Sequence, residues 1–293
     1  MKTIMFYSYK GGSGRTVAAA NVSAALAKLG KRVAAIDLDF EAPGLHYVFE
    51  AEETRQFKNS KGIQHYLKGE IRLEEMEKDV CIDMFSPDGP LSGCKAPEGA
   101  LLLYIMASPN VTLVDTKEPQ VIARLHRLIE SLASAHQLDY VIIDSASGMR
   151  YSYSMAADVS DEMLIFFRWS MQHVQGTLRI ARYIAIMNEN EYGQRVVPFK
   201  LVASATTTKS ELDGLDLDPK TRDELIADRD GMHSKIEQAL RERHVTPAQI
   251  FYDIPEMIDL KWKERVTVFS PGPVTEFEKL ASKLVDMDSG ERI

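Results

Sequence analysis

Residues 9–16, which read Tyr-Lys-Gly-Gly-Ser-Gly-Arg-Thr, decide the fold of this chain of 293 residues. They follow the apolar run of residues 2–8 and precede an alanine-rich, helix-forming stretch, residues 16–29. The glycines let the backbone turn with its N–H groups pointing inward, and a helix that starts after such a loop presents its positive end to an anion. The sequence therefore predicts a phosphate-binding loop between a strand and a helix, rather than a glycine-rich turn that binds nothing.

The loop departs at two positions from the usual phosphate-binding motif, Walker A, which reads G-x-x-x-x-G-K-(S/T). Tyr9 stands at the first glycine, and Arg15 replaces the lysine that reaches the β and γ phosphates, whereas Thr16 keeps the hydroxyl that binds magnesium. Lys10 precedes the glycines, which gives K-G-G-x-G-(K/R)-T and resembles the deviant Walker A loop of the ParA/MinD ATPases. The resemblance implies that Lys10 reaches across a dimer interface to the nucleotide of a second copy.

Two carboxylates end the next apolar strand, residues 33–39. Asp37 and Asp39 are two residues apart and so point to one face of a strand, where one can hold the magnesium shell and the other can orient water. Residues 37–45 resemble switch I of the same family, D-x-D-x-x-x-P-G-L. We therefore assign Asp37 to magnesium and Asp39 to the attacking water. The alternative for such a pair is a cap of a turn or helix.

A third apolar strand, residues 139–144, also ends in an acid, Asp144, and Gly148 follows it. This order resembles the Walker B strand with switch II, which reads h-h-h-D-x-x-x-G. The resemblance implies that Asp144 binds magnesium through water and that Gly148 lets the backbone reach the γ-phosphate and change shape when that phosphate leaves. An apolar run that ends in Asp is common in α/β proteins. The assignment of this run as Walker B therefore depends on its position in the chain, after the glycine loop and switch I.

The remaining apolar runs alternate with helical stretches. The strands are predicted at residues 101–107, 163–168, 200–204 and 250–254, and the helices near 119–136, 171–188 and 223–243. This alternation predicts an α/β fold with a mostly parallel sheet covered by helices on both faces. Together with this alternation, the resemblance implies the P-loop NTPase fold of the ParA/MinD (SIMIBI) type. In that fold, Pro255 would mark a loop that approaches adenine.

We expect one P-loop ATPase domain over residues 1–293, with variable segments at 46–100 and 205–247. A helix is predicted over 62–78, followed by an irregular stretch at 81–99. That stretch holds the chain's two cysteines, Cys81 and Cys94, which lack C-x-x-C spacing. We expect them to be reduced thiols, because disulfides are rare in the intracellular compartment that we expect for this chain.

Composition and charge limit the compartment and the partners. A hydrophobic content of 45% is enough for a full core, and no apolar run approaches the ~18 residues that span a bilayer. Because strand 1 starts at the N-terminus without a signal peptide, we expect a cytoplasmic protein.

The net charge of -8 does not support DNA binding, although Arg179–Arg182 and Lys261–Arg265 are candidate basic patches. The final amphipathic stretch, residues 275–288, is acidic, which argues against a membrane surface.

The resemblance implies a molecular switch that binds ATP and Mg2+, forms an ATP-dependent homodimer and controls an unidentified protein partner. We expect slow ATP hydrolysis, because arginine is longer and planar where the usual loop has lysine. The alternative is a scaffold subunit that binds nucleotide with little or no turnover. A kinase with a small-molecule acceptor ranks lowest, since no acceptor site is evident.

The predicted site residues fall into three groups. The predicted catalytic residues are Lys10, Arg15 and Asp39, and the predicted magnesium residues are Thr16, Asp37 and Asp144. The predicted nucleotide-binding residues are Gly11, Gly12, Ser13, Gly14, Arg15, Thr16, Val17, Gly148 and Pro255.

Overall fold

A sheet of eight strands organises the computed structural model, which describes residues 1–110, 114–115, 117–149, 151–189, 197–206, 218–242, 249–257, 260 and 263–290. The strands lie in the order β3-β4-β2-β5-β1-β6-β7-β8, and every neighbouring pair is parallel except β3 and β4. The strands are β1 (Lys2–Tyr7), β2 (Arg32–Leu38), β3 (Cys81–Asp83), β4 (Leu101–Ile105), β5 (Tyr140–Ser145), β6 (Glu162–Arg168), β7 (Phe199–Thr206) and β8 (Ile250–Pro255).

Helices connect most of the parallel strands. Helix α1 packs against the C-terminal helix α10, and alanine at much of its surface allows this close approach while almost the whole of α1 is buried. The helices are α1 (Arg15–Lys28), α2 (Leu45–Val48), α3 (Arg55–Lys58), α4 (Ile63–Lys68), α5 (Leu73–Asp79), α6 (Pro119–His136), α7 (Tyr151–Asp158), α8 (Met171–Glu189), α9 (Pro219–Arg241) and α10 (Glu276–Ser289). Among the described helices, none is long and apolar enough to cross a membrane.

The central strands are buried along nearly their whole length, as their continuous apolar sequences predict. Strand β1 lies between β5 and β6, and β5 is buried at every position. Parallel strands bring their carboxyl ends to one edge of a sheet, which is where open α/β sheets bind ligands. The structure therefore confirms the predicted α/β fold class with a mostly parallel sheet, and it places the ends of β1, β2 and β5 side by side.

The structure differs from the predicted secondary structure in the segment before β4. The single helix predicted over 62–78 is wrong, because Gly69 adopts φ 79° and ends α4 in the left-handed conformation before α5 begins. The stretch predicted to be irregular begins with strand β3, which pairs with β4 in antiparallel register. Of the second variable segment, residues 207–217 and 243–248 lie outside the described residues, as do 261 and 262 of one predicted basic patch.

Candidate functional site

The glycine loop joins β1 to α1 with the backbone geometry that its sequence predicts. Gly12 and Gly14 have φ values of 75° and 73°, in the left-handed region that favours glycine. Helix α1 begins directly after Gly14, and no described side chain caps it or places an acidic group in its first turn. The N–H groups that start a helix lack partners within the helix, so this end of α1 offers hydrogen bonds and positive potential to an anion.

The segment after β5 lies against the glycine loop. Gly148, at φ 82°, donates its backbone N–H to the Ser8 carbonyl over 3.0 Å. A Cβ at Gly11 would lie 3.9 Å from the Ser147 hydroxyl, so the two loops are neighbours. The structure thus brings the predicted switch II glycine beside the predicted phosphate-binding loop.

Asp37 holds the segment predicted as switch I. It is fully buried, and its two carboxylate oxygens accept hydrogen bonds from the backbone N–H groups of Asp39 over 3.0 Å and of Gly44 and Leu45 over 3.2 Å each. In the register of β2 and β5 it lies opposite Asp144. Burial and the nearby Asp144 raise the pKa of Asp37 well above its usual range. Asp37 therefore shapes the switch I backbone, and its direct role toward magnesium stays a prediction.

Arg15 points toward carboxylates in this structure. Its Nε donates to Oδ1 of Asp144 over 2.6 Å, its Nη2 to Oδ2 of Asp39 over 3.1 Å and its Nη1 to the Ser8 hydroxyl over 3.3 Å. The arginine is 7% exposed and Asp144 is fully buried. Arg15, Asp39 and Asp144 thus form one buried ionic cluster. The sequence analysis did not predict the part played by Ser8, which has no motif signal.

The residues around Asp144 fit a magnesium ion bound together with phosphate. Oδ2 of Asp144 is buried and, among the described residues, accepts no hydrogen bond of ordinary geometry. Burial raises the pKa of Asp144, while the charge of Arg15 and the hydroxyl of Thr16 act in the opposite direction. A Cβ on Gly44 would lie 3.1 Å from Cγ2 of Thr16, so switch I closes over that residue. Hydroxyl and carboxylate oxygens are the ligands that Mg2+ prefers.

Among the residues that the structure describes, protein side chains alone do not form a metal site. Within the described ranges, no group of three or more His, Cys, Asp or Glu side chains is arranged to hold a metal ion. Magnesium in nucleotide sites uses one or two protein ligands and completes its shell with water and substrate phosphates. The donor set at Thr16 and Asp144 matches that second kind of site.

A cavity of about 170 Å³ adjoins the start of α1 and reaches the end of β8. Ser13, Gly14, Val17 and Pro255 line it, so four of the predicted nucleotide-binding residues share one cavity. Ser204 of β7 donates its hydroxyl to the Ser13 carbonyl over 2.5 Å. Ser204 therefore helps to position the backbone of the glycine loop.

Lys10 lies beside helix α8, on the side of the glycine loop opposite the first cavity. A second cavity of about 430 Å³ is lined by Lys10, Arg179 and Arg182 together with two glutamines of α8. Tyr9 accepts a hydrogen bond from Nη1 of Arg179 over 3.3 Å. Burial, Arg168 and Lys10 lower the pKa of His173. The basic patch predicted at Arg179 and Arg182 thus joins Lys10 in one cationic pocket.

Gly176 makes room for the Tyr9 ring beside this pocket, because a Cβ there would lie 2.0 Å from Cδ1 of Tyr9. We expect Gly176→Ala to lower the free energy of unfolding by about 1–2 kcal/mol, since the added methyl displaces the ring. Gly231 of α9 is the matched control, because a Cβ there meets nothing within 4 Å. Gly231→Ala should raise stability by up to about 1 kcal/mol through helix propensity. Urea denaturation compares the two variants, and equal stabilities would contradict this role of Gly176.

Comparison with known proteins agrees with this geometry. Residues 1–194 match the family model described as AAA domain, AAA_31. The septum site-determining protein MinD of Synechocystis is 26% identical over 193 residues, which are 66% of this chain and 62% of that protein. The match therefore spans less than two thirds of that relative's length.

Solved structures with low sequence identity share the fold. The MinC:MinD cell division complex of Aquifex aeolicus matches with a TM-score of 0.65 and 20% identity, over 100% of this chain and 98% of that chain. MinD of Pyrococcus horikoshii complexed with Mg-ADP matches with a TM-score of 0.62 and 16% identity, over 99% and 98%. The chain therefore belongs to the AAA domain family AAA_31 and is of the ParA/MinD P-loop ATPase type.

Proposed function

We propose that this protein is an ATP-dependent molecular switch that dimerises around Mg-ATP and controls a protein partner in the cytoplasm. The observation that carries the proposal is the convergence at one sheet edge of an uncapped helix N-terminus, the Thr16 hydroxyl and the buried Asp144. Phosphate, magnesium and water are what these groups bind best. The Pyrococcus horikoshii relative, which was solved with Mg-ADP, supports the same ligands.

Each part of the site has a defined task in this proposal. The N–H groups of the glycine loop and of α1 hold the phosphates, and the cavity that reaches Pro255 takes the nucleoside. Thr16 and Asp144 would hold magnesium, which would neutralise negative charge on the nucleotide phosphates. Asp39 orients a water molecule, whose oxygen bonds to the γ-phosphorus as the bond to the ADP oxygen breaks. Release of that phosphate frees the segment that ends at Gly148.

The cationic pocket beside Lys10 supports the dimer. Lys10 is exposed, and no described side chain forms an ion pair with it, Arg179 or Arg182. Positive charge at the rim of a phosphate site favours an approaching anion, and a second copy of the chain that carries ATP would supply one. The same pocket is too local to offset the net charge of -8 along a DNA backbone, so we do not propose DNA as the partner.

A specific contact favours a second candidate function, the scaffold without turnover. Arg15 forms its ion pairs with Asp39 and Asp144 rather than facing the space in front of α1. If the guanidinium kept these partners when nucleotide bound, Asp39 would not be free to orient water. The protein would then bind nucleotide as a structural ligand in a larger complex.

Light scattering tests the leading proposal directly. The purified chain has a mass of 32.9 kDa, and we expect about twice that mass with Mg-ATP but the single-chain mass with Mg-ADP or without nucleotide. A mass that does not respond to nucleotide would refute the dimerising switch. Phosphate release measured on the same samples separates a switch from a scaffold.

A further inference from the structure

Arg15 contacts two different elements of the candidate site, strand β5 and the segment after β2. Asp144 is the penultimate residue of the buried strand β5, whereas Asp39 belongs to the segment after β2. One guanidinium donates to both carboxylates, over 2.6 Å and 3.1 Å. A lysine ammonium is a single point charge, whereas the planar fork of arginine presents N–H groups in several directions at once. The substitution in the loop therefore creates a connection between switch I and the end of β5.

Charge balance gives this connection its strength. Three carboxylates lie close together here: Asp37, Asp39 and Asp144. Among the described residues, Arg15 is the cation that forms ion pairs within this group, with Asp39 and Asp144. Arg15 and Asp39 are 7% and 8% exposed, so water screens the pair weakly. Removing one partner of a buried ion pair leaves an uncompensated charge, which is strongly unfavourable. The guanidinium therefore keeps these partners until other ions replace them.

Magnesium with a nucleoside triphosphate offers that replacement. The metal supplies positive charge for Asp144, and the phosphates supply negative charge for the guanidinium. We propose that Arg15 is a positioning residue with two alternative sets of partners: without nucleotide it latches Asp39 of switch I to Asp144, and Mg-nucleotide transfers it to phosphate and frees Asp39. This inference rests on the proposed nucleotide binding. It adds that the contact between Arg15 and Asp39 must break when nucleotide binds, which lowers the affinity for nucleotide.

The latch predicts a specific energetic coupling between Arg15 and Asp39. Asp39→Asn keeps the side-chain shape but loses the charge that holds the guanidinium. The latch therefore weakens, and breaking the contact with Arg15 requires less free energy. We expect Asp39→Asn to raise the affinity for a non-hydrolysable ATP analogue with Mg2+ by about tenfold. In the R15K background the latch is already lost, and we expect the same change to alter affinity less than about twofold.

Isothermal titration calorimetry with the Mg2+ complex of the imido analogue of ATP measures all four proteins of this cycle. Removing a negative charge near phosphate would also raise affinity by simple repulsion, but that gain would be equal in both backgrounds. An equal gain, or no gain, therefore overturns the latch. Absence of binding by the unaltered chain overturns the proposed function and the latch together, so the two failures are distinguishable.

Stability without nucleotide provides a second readout. Asp39→Asn and Arg15→Lys should each lower the urea midpoint, and the double variant should lower it little beyond the larger single effect, because both remove one interaction. Arg32→Lys is the matched control: Arg32 donates its Nε to the His136 carbonyl over 2.6 Å and its Nη1 to the Gly99 carbonyl over 2.7 Å, at the start of β2. It should lower stability without changing nucleotide affinity. Additive midpoints would contradict the latch.

Discussion

Lys10→Ala is expected to leave the protein at its single-chain mass in Mg-ATP. The lysine is exposed beside a cationic pocket of about 430 Å³, and in the proposed dimer its ammonium meets the phosphates of the second copy. In a two-fold dimer the change occurs twice, and removing one partner of a desolvated charge pair costs about 2–5 kcal/mol. We therefore expect self-association to weaken by at least about a hundredfold.

Light scattering across a concentration series measures this loss, and calorimetry shows whether nucleotide still binds to the single chain. Lys95→Ala is the control, because Lys95 is an exposed lysine in the loop that precedes β4. We expect this control to dimerise like the unaltered chain. A Lys10→Ala dimer of unchanged affinity would remove the role proposed for Lys10.

Asp39→Ala is expected to lower the rate of phosphate release at saturating ATP by at least about a hundredfold, because a positioned acid or base contributes on that scale. In the proposed latch, Asp39 is the carboxylate that Mg-nucleotide releases from Arg15. Its Oδ1 accepts the backbone N–H of Ala42 over 3.1 Å, so it is already oriented by the segment after β2. Saturating nucleotide is needed because weakening the latch also changes affinity.

A malachite green or coupled phosphate assay gives the rate, and Asp88→Ala, a change of an exposed turn aspartate, serves as the control. The control should hydrolyse ATP at the unaltered rate. If the unaltered chain releases no more phosphate than Asp39→Ala, the scaffold without turnover is the better description. Nucleotide-dependent dimerisation would then have to serve assembly alone.

The fold was predictable because its signals are local. The φ values of Gly12 and Gly14 follow from the need for a left-handed turn, and the buried strands β1 and β5 read as continuous apolar runs. The neighbourhood of Asp37 and Asp144 also follows, since parallel strands end at one edge. The helix predicted over 62–78 failed because a glycine at φ 79° stops a helix that its apolar spacing would otherwise continue.

The arrangement of the candidate site was only partly predictable from the sequence. Motif order assigned Thr16, Asp39 and Asp144 to one place, and the structure places the two aspartates on one arginine. The environment of Lys10 was less accessible from sequence, because the contact between Tyr9 and Gly176 joins residues that are distant in the chain. A glycine inside a helical pattern gives no indication of which ring lies against it.

The sequence by itself determined the sheet, the glycine loop between β1 and α1 and the set of acidic residues at the sheet edge. These features follow from apolar periodicity, glycine placement and motif order, which are all local signals. Only the tertiary structure decided which groups Arg15 contacts. From sequence, an arginine at the Walker A lysine position keeps a positive charge for phosphate. In the folded chain that charge is buried among carboxylates from two different strand ends, and the unfavourable free energy of an unpaired buried charge fixes its direction.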